Sequence, residues 1–85
     1  MNIIPTNQNQ KTLCHSQEKM FEVIEIESVG TFLYVLCGGI GMYERIIRLE
    51  ENEIKSFYEN GEKALYSLAY QVAKGHHADR EYQKK

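Results

Sequence analysis

A marked excess of charge of either sign is missing from this chain. Ten Lys and Arg against twelve Asp and Glu leave a net charge of −2 over 85 residues. Residues 1–52 carry four basic and seven acidic side chains, and residues 53–85 carry six and five. So even a balance makes a poor nucleic-acid binder, because that affinity comes from neutralising phosphates. Cysteine is scarce: Cys14 and Cys37 allow one disulfide at most. Long apolar runs are absent too. None approaches the ~18 residues that would suggest a membrane span, so no membrane partner is expected. The opening Met1-Asn2-Ile3-Ile4-Pro5 lacks the basic and apolar regions of a secretory leader. The expected compartment is therefore the cytoplasm, with reduced thiols. Eighty-five residues allow one marginally stable domain. A cleft with two catalytic walls is hard to build at this size. A binding module, an inhibitor or a homodimer subunit is easier.

What is present falls into two periods. Residues 1–19 are polar and irregular, and read as a flexible arm with a short strand at Ile3-Ile4. Three β-prone runs follow, Phe21 to Glu27, Thr31 to Cys37 and Met42 to Leu49, separated by glycine-containing turns. After Leu49 the period becomes helical. Glu50-Glu51-Asn52-Glu53 sets acids in a first turn, Ile54, Phe57 and Tyr58 share a face, and Gly61 ends the helix. Ala64, Leu65, Leu68, Ala69 and Val72 then form the stripe of a second helix, which Gly75 ends. The expected class is α+β: a three-stranded antiparallel meander followed by two helices packed on one sheet face (βββαα). It occupies residues 20–75, between the arm and a polar tail at 76–85.

A two-residue loop Val29-Gly30 and a four-residue loop Gly38 to Gly41 set the register. Ile24 then faces Val35, Ile26 faces Leu33, Val35 faces Glu44 and Leu33 faces Ile46. One face carries Ile24, Ile26, Leu33, Val35, Cys37, Met42 and Ile46, and takes the helices. The other mixes Val23, Glu25, Glu27, Phe32, Tyr34, Leu36, Tyr43, Arg45 and Ile47. On it Glu25, Tyr34 and Arg45 form a cross-strand row. Aromatics mixed with charge suit an interface, unless the arm covers this face. The expected partner-binding residues are Glu25, Glu27, Tyr34, Tyr43 and Arg45. A slip of one residue would exchange the faces.

Constellations that could carry chemistry are weak. Cys14-His15 and His76-His77-Asp79 lack the two-to-four-residue spacing of zinc ligand pairs. Cys37 ends an apolar strand, which suits a buried thiol better than a nucleophile. Gly38-Gly39-Ile40-Gly41 lacks the spacing of a phosphate loop and leads into a strand. No metal, cofactor or catalytic residue is expected. The acids Glu22, Glu25, Glu27, Glu44, Glu50, Glu51 and Glu53 suit a solvated surface, or a negative one that meets a basic partner.

The stretch Leu33 to Ala73, about half the chain, resembles small bacterial immunity proteins of polymorphic-toxin and contact-dependent growth-inhibition systems. The resemblance rests on Tyr34-Val35-Leu36-Cys37-Gly38-Gly39, Tyr43-Glu44-Arg45, Arg48-Leu49, Glu53-Ile54, Gly61, Leu65 and Leu68-Ala69, with Arg80 beyond. Such proteins often open the helix with Thr, Ser or Asp, where this chain has Glu50. The resemblance implies a stoichiometric cytoplasmic inhibitor, not an enzyme, that occludes the active site of a toxin domain, often a nuclease. It transfers no toxin-contact residue. Other readings stay open: a different small inhibitor such as an antitoxin or phage anti-defence protein, or a small homo-oligomeric enzyme using Cys37 or the histidines.

Overall fold

A computed structural model describes residues 3–4, 8–38 and 43–84. Among these, six strands form one mixed sheet: β1 (Ile3–Ile4), β2 (Gln10–Ser16), β3 (Phe21–Ile26), β4 (Gly30–Cys37), β5 (Tyr43–Arg48) and β6 (Glu81–Lys84). Their order is β1-β6-β5-β4-β3-β2. All neighbours are antiparallel except β1 and β6. The expected three-strand meander is thus only the centre, β3 to β5. The segments read as arm and tail supply the flanking strands. These lack an apolar period for a physical reason. β1 and β2 are the sheet edges and β6 has only the two-residue β1 beyond it; such strands owe their conformation to pairing and keep polar side chains in water. In β2 a bulge between Thr12 and Cys14 also breaks the alternation.

The register differs from expectation at both central hairpins. The β3–β4 loop spans residues 27–29, with Ile26 opposite Gly30. Val29 N–H donates to the Ile26 carbonyl at 3.0 Å, and Ser28 takes the left-handed conformation at φ 64°. Val23 therefore faces Leu33, and Ile24 faces Phe32. Leu33 faces Ile47, and Val35 faces Arg45. Both pairings depart from the expected ones by an odd number of residues, so β3 and β5 present opposite faces from those expected. The expected loop Gly38 to Gly41 and Met42 lie largely outside the described residues, Gly38 apart. Gly30 has its own constraint: at φ 150°, a Cβ there would stand 2.9 Å from Arg48 Nε.

The helices form as their sequence indicates. α1 (Glu51–Asn60) has acids in its first turn, and Glu53 Oε1 accepts the Glu50 N–H at 2.7 Å. Gly61, at φ 79°, closes it by donating to the Phe57 carbonyl at 2.8 Å. A 3-10 turn (Glu62–Leu65) leads into α2 (Tyr66–Ala73). Phe57, Leu65, Ala69 and Val72 bury against Phe21, Val23, Leu33, Val35, Cys37, Ile47 and Leu49. Tyr58, expected on this face, is exposed.

The opposite sheet face is apolar as well. Ile4, Ile24, Ile26, Phe32, Tyr34 and Ile46 are buried there, with Val29 and Tyr82 beside them. Phe32 meets Tyr82 edge-on at 4.9 Å between ring centroids. Strand β1 brings Ile4 into this cluster, so part of the expected arm does help cover this face. Among the described residues no helix is long and apolar enough to cross a membrane.

Candidate functional site

The five residues expected to share one surface are dispersed. Arg45 lies on the helix side, buried, with Val35 opposite it. Its Nη1 donates to the Val72 carbonyl at the end of α2, and its Nη2 to Glu81 Oε1 on β6 at 3.1 Å. It ties a helix end to two strands. Glu25 stands between Lys11 and Thr31, not beside Arg45. Glu27 sits in the β3–β4 turn and accepts a hydrogen bond from Asn9 Nδ2 at 2.9 Å. Tyr43 is exposed at the start of β5, opposite Cys37. Tyr34 is buried on the other face, between Glu22 and Ile46. The expected row of Glu25, Tyr34 and Arg45 does not form, because β3 and β5 are turned over relative to β4.

A different row takes its place. His15, Glu22, Tyr34 and Ile46 are successive cross-strand partners on β2 to β5. His15 Nδ1 lies 3.3 Å from Glu22 Oε2. One step along, Leu36 faces Glu44. Here the β2–β3 turn comes close. Ser16 Oγ accepts the Lys19 N–H at 3.3 Å, and Met20 takes a left-handed φ of 60°. The Met20 carbonyl then accepts the Leu36 N–H at 2.9 Å. A left-handed residue with a Cβ costs about 1–2 kcal/mol, which this hydrogen bond helps offset.

These elements enclose an open groove of about 430 Å³. Its apolar lining is Met20, Phe21, Tyr34 and Leu36. Met20 and Leu36 are 42% and 38% exposed, and the Leu36 N–H bond to the Met20 carbonyl holds their backbones side by side. The charged lining is Glu18, Glu22 and Glu44, with His15 beside them and, among the described residues, no Lys or Arg. The surface is thus apolar at its centre and negative at its rim. Sequence reasoning grouped Tyr34 with Leu36 and named Glu22 and Glu44 among the acids. It missed their convergence, which depends on register, and it missed Met20, which depends on turn geometry.

The groups considered for other chemistry sit elsewhere. Cys37 is buried, and its thiol donates to the Val35 carbonyl at 3.4 Å. Burial pushes this thiol up, with Arg45 pulling the other way. Cys14 is pushed up by burial and then by Glu62. Both sites favour the thiol over the nucleophilic thiolate. His77 Nε2 meets Gln71 Oε1 at 2.7 Å. Among the described residues no three His, Cys, Asp or Glu side chains are grouped to hold a metal ion. Comparison with protein-family models, with curated proteins and with solved structures gave no match.

Proposed function

We propose that this protein is a stoichiometric inhibitor that binds a basic toxin domain and occludes its active site, docking through the Met20–Leu36 groove. The observation that carries the reading is the pairing of two exposed apolar side chains with three surrounding carboxylates. Exposed apolar clusters with a polar rim are what protein interfaces look like. The acidic rim would speed capture of a basic partner. A nuclease fits this role, since its cleft holds Lys and Arg for phosphate. The likeness of Leu33 to Ala73 to immunity proteins supports the same class.

The scale is reasonable. A standard interface buries about 800 Å² per partner, about a seventh of the 5683 Å² surface. Tyr43, 56% exposed at the same sheet end, pairs with Cys37 on the helix-side face and so lies outside this footprint. Glu25, near the far end of β3, and Glu27, in the β3–β4 turn, would act only in a wide footprint.

Co-expression tests the proposal. The protein should protect cells from the toxin domain encoded beside its own gene and form a one-to-one complex with it. The double variant Met20→Asp with Leu36→Asp should fold normally and lose protection. Full protection by that folded variant would overturn the docking surface.

A further inference from the structure

We infer that Met20 is a site of reversible oxidation by a peroxide and that its sulfoxide closes the docking surface, which rests on the reading that a protein partner docks at the groove. Among the described residues sulfur occurs in Cys14, Met20 and Cys37, while Met1 and Met42 lie outside them. Met20 is 42% exposed. Cys37 is 2% exposed and donates its thiol proton to the Val35 carbonyl. Cys14 is half-buried in β2, and burial holds its thiol in the protonated form. A thiol reacts with peroxide as its thiolate, whereas a thioether has no proton to lose. Met20 is therefore the sulfur of the described residues that a small oxidant reaches first. The Glu18 and Glu22 carboxylates share its groove, so an uncharged peroxide approaches more readily than an anionic oxidant.

A lone pair of the Met20 sulfur attacks one peroxide oxygen as the O–O bond breaks. Sulfur is oxidised to the sulfoxide and the peroxide is reduced. The departing hydroxide takes the proton of the transferred oxygen and leaves as water. The fold survives this change, because Met20 serves it through the backbone: its carbonyl accepts the Leu36 N–H at 2.9 Å, while its side chain stands at the surface. The groove does not survive it. A flexible apolar side chain becomes a polar one among Phe21 and Leu36. The Glu18 and Glu22 carboxylates accept hydrogen bonds and donate none, so they give the new oxygen no partner. An apolar surface docked there would bury that oxygen unsatisfied.

The test treats the whole protein with dilute hydrogen peroxide and follows the oxygen gained by each peptide in the mass spectrum. Met20 should be converted before Cys14 or Cys37, with the melting temperature unchanged. Affinity for the proposed toxin partner should then fall about tenfold or more. It should return after treatment with both sulfoxide reductases, one for each sulfur epimer. Met20→Leu, whatever its own affinity, should not respond to peroxide. That variant retains Met1 and Met42, and so separates Met20 from every other sulfur. Oxidation of Cys14 or Cys37 with Met20 intact, a fall in affinity that Met20→Leu shares, or full affinity in the Met20 sulfoxide would overturn the switch. Should the sulfoxide bind fully while Met20→Asp with Leu36→Asp abolishes protection, the switch falls and the docking surface stands. Should that double variant protect fully, the docking reading falls and the switch with it.

Discussion

Replacing Arg45 separates a structural tie from a contact residue. Its guanidinium is buried beneath the end of α2, and it joins the Val72 carbonyl to Glu81. Arg45→Met keeps most of the stem and removes the charge. The Val72 carbonyl would keep the Gly75 N–H at 3.0 Å, so it is not orphaned. Glu81 would lose its cation, but its side chain is 28% exposed and water can reach it. The loss therefore falls below the 3–5 kcal/mol typical of breaking a fully buried pair. One charged hydrogen bond and one carbonyl bond suggest about 2–3 kcal/mol. That is a large part of the stability expected for a domain of this size. Urea unfolding of Arg45→Met, Glu81→Gln and the double variant gives the value and the coupling, which should be about 1–2 kcal/mol. A single-variant loss below about 0.5 kcal/mol would refute the tie. Affinity for the proposed toxin partner, per folded molecule, should not change, since this side chain faces the helices.

Three further outcomes follow from the packing. Leu65→Ala should cost about 3 kcal/mol on denaturant unfolding, since Leu65 is 1% exposed; the partly buried Leu68→Ala should cost less. Gly30→Ala should cost about 1 kcal/mol, mostly from the φ of 150°, because the Arg48 side chain can swing aside. Alkaline pH should destabilise the protein partly through Cys37, whose thiol is raised above its ordinary 9.0, chiefly by burial. A raised folded value means this contribution is complete below pH 9 and lost as pH rises through the folded value. Melting curves of Cys37→Ala should show a smaller fall above pH 9 than the parent.

The helices were legible because their signals are local. Glu53 reaching back to the Glu50 N–H, and Gly61 at a positive φ, are written within a few residues. The central strands were legible because Phe21 to Cys37 is rich in β-branched and aromatic residues. The flanking strands were not. In Gln10–Ser16 and Glu81–Lys84, pairing with β3 and β5 supplies what apolar content does not. Register was the costliest loss. For β3 it hinged on whether the hairpin turned at Val29-Gly30 or at residues 27–29, and a left-handed Ser28 decided it; for β5, which carries Glu44 and Arg45, it hinged on Leu33 pairing with Ile47 instead of Ile46. Serine is a poor advertisement for that conformation beside a glycine two residues on. With the register went the site: Arg45 passed from surface to interior, and Glu22 and Glu44 came to flank Tyr34 and Leu36 instead.

The central claim is that the groove end of the sheet meets the toxin. Amide hydrogen exchange of the protein, alone and saturated with the proposed toxin partner, tests it most directly. The account predicts slowed exchange at the β2–β3 turn around Met20, at Leu36 on β4 and at Glu44 on β5. The outer helix surface bearing Tyr58 and Tyr70, 63% and 64% exposed, should exchange as before. Protection of that helix surface, with none at Met20 or Leu36, would contradict the account.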